Sequence, residues 1–158
     1  MPTKQVSKRT SPPRKSEKNV WTDEERAAMQ ESARERKAVS RRGKGDDRAD
    51  GERDLREKIA KMPADDRAMA DRIHALVMDA APSLWPKTYY GMPAYAKDGK
   101  VICFFQAKSK FKVRYSTFGF QPDAPLDDGS MWAIAFAVNE LTPSSEAQIT
   151  KLVKKAAG

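Results

Sequence analysis

Lys87-Thr88-Tyr89-Tyr90-Gly91-Met92-Pro93-Ala94-Tyr95-Ala96-Lys97-Asp98-Gly99-Lys100-Val101-Ile102-Cys103-Phe104-Phe105 is the stretch that decides the fold. Within it the hydrophobic pattern has a period of two, the period of a strand. Lys97-Asp98-Gly99-Lys100 reads as a hairpin turn, because Asp-Gly tolerates the positive φ angles of tight turns. Val101 to Phe105 is apolar on both faces and predicts a central strand. Beyond it, Phe111, Val113 and Tyr115 alternate with Lys112, Arg114 and Ser116, a strand with one wet face. A loop from Gln121 to Gly129 follows. A last strand then puts Trp132, Ile134, Phe136 and Val138 on one side, with Ala133, Ala135 and Ala137 lining the other as if for a helix. Consecutive strands joined by short turns make an antiparallel meander of about four to five strands.

Moving outward, the period becomes helical on both sides. Leu55, Ile59 and Met62 share one helix face, and Pro63 separates that helix from the next, at 64–80. Met69, Ile73, Leu76, Val77 and Ala80 form the second stripe, and Pro82 and Pro86 end it. Thr142 with Pro143 opens the final helix, whose stripe is Ile149, Leu152, Val153 and Ala156. The expected class is α+β: a small antiparallel sheet covered by N- and C-terminal helices over residues 50–158. The helices cover one sheet face.

Ahead of this domain the composition shifts. Of the chain's formal net charge of +8, residues 1–49 carry +6. Residues 1–20, rich in Ser, Pro, Lys and Arg, cannot offset an ordering entropy of ~1–2 kcal/mol per residue and read as a disordered basic arm. Residues 21–49 read as a charged helix and linker. Thr22 and Glu25 form a capping box, and the Ala-, Glu- and Arg-rich helix at 23–41 lacks a strong apolar stripe. Neither a secretory signal nor a membrane span is visible, and a single cysteine fits a reducing compartment. A cytoplasmic location with no membrane partner is expected.

The run Tyr90-Gly91-Met92-Pro93-Ala94-Tyr95, then Asp98-Gly99-Lys100-Val101, then Phe104-Phe105-Gln106-Ala107-Lys108, resembles the YdhG-like domain of unknown function. Ile59-Ala60-Lys61-Met62-Pro63 and Leu141-Thr142-Pro143 fit the same layout. The resemblance covers roughly residues 52–157. It implies a small α+β fold with an antiparallel sheet. Some members are described as frataxin-like iron chaperones, so iron is the one cofactor the resemblance implies. It implies no fixed ligand set.

Five groups of residues are candidates for function. Trp85, Tyr89, Tyr90, Gly91, Met92, Pro93 and Tyr95 either wall a cleft for a small ligand or a protein partner, or simply pack. Lys108, Lys110, Lys112 and Arg114 share a strand parity, and so make either a phosphate-contacting surface or a solvated, edge-protecting face. The arm's Lys4, Lys8, Arg9, Arg14, Lys15 and Lys18, with Arg41, Arg42 and Lys44 further on, are either a non-specific nucleic-acid contact or a solubilising tail. Asp65, Asp66, Asp123, Asp127 and Asp128 offer oxygen ligands to a hard cation, though Asp65 and Asp66 suit a helix start and the others suit turns. His74 and Cys103 are the only His and Cys. Cys103 is expected buried in its strand and His74 near the surface, which leaves no catalytic constellation. The functional expectation is a non-catalytic binding or accessory module. The alternatives are an iron carrier and a nucleic-acid associate working through the arm.

Overall fold

Two tight turns set the register of the sheet. Tyr90 (φ 50°) and Gly91 (φ 76°) join β1 (Trp85–Tyr89) to β2 (Met92–Lys97), and Asp98 (φ 51°) and Gly99 (φ 78°) join β2 to β3 (Lys100–Gln106). Left-handed backbone at both central positions is what a two-residue hairpin turn needs to match strand twist. The computed structural model describes residues 20–42 and 47–158. Apart from Val20, the expected arm lies outside the described residues, as do linker residues 43–46.

β4 (Ser116–Phe120) and β5 (Ala135–Val138) complete a five-stranded antiparallel sheet in the order β1-β2-β3-β4-β5. A bulge at Ile102 lets Tyr95 face Cys103 while Ala96 faces Val101. Four helices flank the sheet: α1 (Asp23–Arg42), α2 (Asp47–Ala60), α3 (Ala64–Ala80) and α4 (Pro143–Ala157). The fold is α+β, as expected. No helix among the described residues is long and apolar enough to cross a membrane.

The core lies between one sheet face and α2–α4. Leu55 and Ile59 of α2, Ile73 and Val77 of α3, and Ile149 and Val153 of α4 meet Tyr95, Cys103, Phe105 and Phe118 from the sheet. At roughly 25 cal/mol per Å² of apolar surface, such side chains supply the main driving force for folding. Gly51 in α2 permits its closest approach, since a Cβ there would sit 2.2 Å from the Pro86 carbonyl oxygen of β1. Thr142 caps α4 by accepting from the Ser145 N–H, while Ser145 Oγ accepts from the Thr142 N–H.

Three expectations are corrected. The strand read over Phe111–Ser116 is a looped turn, and pairing begins only at Ser116. Ser116 Oγ accepts from the Lys108 N–H and Asp66 accepts from the Ser109 N–H, which closes the loop before the backbone can extend. Lys108, Lys110, Lys112 and Arg114 therefore do not form a strand stripe. Ala133, Ala135 and Ala137 receive no helix and are exposed, because α2–α4 lie on the opposite sheet face, where Val138 and Phe136 join the core while Trp132 and Ile134, ahead of β5, stay exposed. His74 is buried, not superficial, because Tyr95 and Glu52 supply polar partners inside the helix layer.

Candidate functional site

The sheet face turned away from α2–α4 carries the candidate site. Strand alternation sends Pro86 and Thr88 of β1 toward the helices and Trp85, Lys87 and Tyr89 the other way. Trp85 is 47% exposed, and Tyr89 packs toward Phe104 with ring centroids 6.4 Å apart. α1 runs beside this face. Together with Gly51 and Asp54 of α2 they bound an open groove of about 1020 Å³ that extends to Val101 and the β2–β3 turn. α1 contributes Arg36 and the exposed Val39, and both signs of charge occur along the walls, from Lys87 and Lys97 to Asp98 and Asp123.

α1 is held there mostly by polar contacts. Glu24, Glu31 and Glu35 are seven and four residues apart, so they share one helix face. Glu35 accepts from the N–H groups of Tyr90 (3.1 Å) and Gly91 (2.8 Å) in the β1–β2 turn. Glu31 pairs with Lys58 (3.2 Å) and Lys110 (3.7 Å), and Glu24 with Lys112 (2.8 Å). The Lys112 ammonium pulls the Glu24 carboxyl below its ordinary pKa, chiefly through their hydrogen bond. Ala28 and Ser32 are the buried residues of the helix. Thr22 and Glu25 close the capping box at its start.

The seven cleft candidates separate. Trp85, Tyr89 and Tyr90 line the groove. Gly91, Met92 and Pro93, with Glu31, line a second, smaller depression of about 210 Å³. Tyr95 is fully buried under the sheet, where its hydroxyl lies 3.0 Å from His74 Nδ1. His74 Nε2 lies 3.5 Å from Glu52, and burial lowers the His74 pKa. The four cations divide: Lys110 and Lys112 bind acids of α1, Arg114 lies over the Tyr115 ring, and Lys108 is exposed.

The candidate acids have separate roles. Asp66 is buried against the Ser109 amide, Asp65 is exposed, and Asp123 pairs loosely with Lys100 at 3.8 Å. Asp127 offers its backbone carbonyl to Lys155, and Asp128 is exposed. Among the described residues no three His, Cys, Asp or Glu side chains gather as a metal site. Cys103 is buried, and desolvation raises its thiol pKa.

Sequence reasoning missed Glu35, Arg36, Val39 and Lys87. The Trp85-Lys87-Tyr89 alternation was a usable signal for Lys87. The α1 residues carried none, since only docking brings them to the sheet. Comparison of the chain with protein-family models, curated proteins and solved structures returned no match.

Proposed function

We propose that the protein is a non-catalytic binding module whose groove holds an extended peptide segment of a partner protein. The half-exposed Trp85 in the groove wall carries this reading. An indole left in water on a structured wall is the kind of anchor that dominates binding energy at interfaces. Compact small-molecule sites enclose most of their ligand, whereas this groove stands open to solvent between α1 and the sheet. Walls carrying both signs of charge suit the alternating polarity of a peptide better than a phosphate chain. Support for binding over catalysis comes from the placement of Cys103 and His74, which lie in the layer beneath the sheet and face away from the groove. The YdhG-like resemblance belongs to the same proposal and rests on the residues quoted for it.

The test is selection from a random-peptide display library against the full chain, with affinities measured by fluorescence anisotropy. Selected peptides bind the native chain, and Trp85→Ala weakens them at least tenfold, about 1.4 kcal/mol. Failure to select any peptide, or peptides indifferent to Trp85→Ala, overturns the reading.

A further inference from the structure

The far edge of the sheet presents a second surface. β5 is an edge strand, paired only with β4. Residues 131–138, Met-Trp-Ala-Ile-Ala-Phe-Ala-Val, contain no charge and no proline, in a chain that is 33% charged. Met131 is 86%, Trp132 39% and Ile134 56% exposed. Edge strands are ordinarily blunted by lysine, proline or bulges, because their open amides template pairing with other chains. None of these devices is present here.

The pairing with β4 fixes which backbone groups are open. Phe120 donates its N–H to the Ile134 carbonyl, and Phe118 faces Phe136. By antiparallel alternation Ile134, Phe136 and Val138 spend their backbone groups on β4, while Ala133, Ala135 and Ala137 direct theirs outward. Their methyl side chains leave the approach unobstructed.

We propose that this edge is a homodimer interface, in which residues 132–138, with β5 at their end, pair with the same residues of a second copy about a two-fold axis at Ala135. An antiparallel pair centred there sets Ala135 against Ala135, Ile134 against Phe136 and Trp132 against Val138 of the other copy. The exposed side chains on the face of Phe136 thereby meet apolar partners. The surface is self-complementary, as a two-fold interface requires. That self-match selects a second copy as the occupant. Two chains of net charge +8 repel over most orientations, and this strip brings no charged side chain against its like. Area gives the strength. A fully exposed aromatic or long aliphatic side chain offers roughly 150–250 Å². At their exposures Met131, Trp132 and Ile134 present on the order of 400 Å² per copy, so with the strand backbone the pair approaches the roughly 1,000 Å² at which specific interfaces begin. The dimer is reversible, and it leaves the groove at the opposite edge free.

Sedimentation equilibrium of the full chain tests it. The average mass rises from one chain toward two as concentration increases. Ala135→Lys and Ala135→Glu each abolish the rise, because the two-fold sets each new charge against itself. Mixing the two variants restores it. Ala135 is exposed and its side chain faces solvent, so both variants keep the wild-type circular dichroism. A wild-type chain that stays monomeric throughout overturns the proposal, whatever the variants do. So does a charged variant that dimerises as the wild type does, or a mixture that fails to recover while the wild type dimerises.

Discussion

α1 and the α2–α4 layer are both helical cover for one sheet, yet they are attached by opposite means. The lower layer is seamed by apolar side chains: Leu55, Ile73, Val77 and Val153 are fully buried against Phe105 and Phe118. α1 keeps Met29 and Val39 exposed and is fastened through Glu24, Glu31 and Glu35. Apolar burial is not screened by salt and is nearly indifferent to side-chain direction. Carboxylate contacts depend on geometry and on screening. The contrast teaches that α1, which forms one wall of the groove, is the element most easily released.

The largest expected effect breaks the lower layer. Phe118→Ala removes a fully buried ring and costs about 3–5 kcal/mol, read as global unfolding in denaturant titration. A smaller loss with unchanged cooperativity would show that the layer is not one unit. Tyr95→Phe leaves His74 Nδ1 buried without its partner and costs about 2 kcal/mol, again globally. Glu35→Ala removes the acceptor for two turn amides and costs about 1–2 kcal/mol, but locally. Hydrogen exchange then speeds in α1 while the amides of β3 keep their protection. Equal acceleration in both would mean that the two regions unfold together.

The pH response belongs to the lower layer. Burial depresses the His74 pKa in the folded state, so the folded chain binds fewer protons than the unfolded one. Stability is therefore held above the ordinary histidine pKa and lost as pH falls below about 6.5, at most by about 1.4 kcal/mol per pH unit. His74→Gln flattens that slope in thermal melts taken across the range, and an unchanged slope would assign it to other groups. The smallest effect is on the exposed Glu24–Lys112 pair. Lys112→Ala leaves global stability unmoved and only lowers the salt sensitivity of α1 exchange.

Much of the site was hidden for the same reason that α1 was. Trp85, Tyr89 and Tyr90 were legible as aromatics around a glycine turn, and the structure puts all three on the groove. Gly91, Met92, Pro93 and Tyr95 were grouped with them by sequence proximity. Strand alternation and the turn instead send them to a second depression and to the core. The cations at 108–114 mimicked a strand period because alternating residues arise in turns as well. Contacts from Ser116 and Asp66, with backbone turns from Lys110 to Ala107 and Val113 to Lys108, decide against extension.

Residue order alone settles the Asp98-Gly99 hairpin, the antiparallel succession of strands and the start of the last helix. These follow from local chemistry: Asp98-Gly99 in a left-handed turn, Thr142 and Pro143 at a helix start, and the unbroken apolar run Val101–Phe105 of a central strand. Tertiary structure alone decided where α1 lies, that His74 is buried, and why a helix-weakening glycine occupies position 51. There a side chain would strike the Pro86 carbonyl, and α2 could not reach β1. Such facts depend on distances between residues far apart in the chain, which no periodicity records.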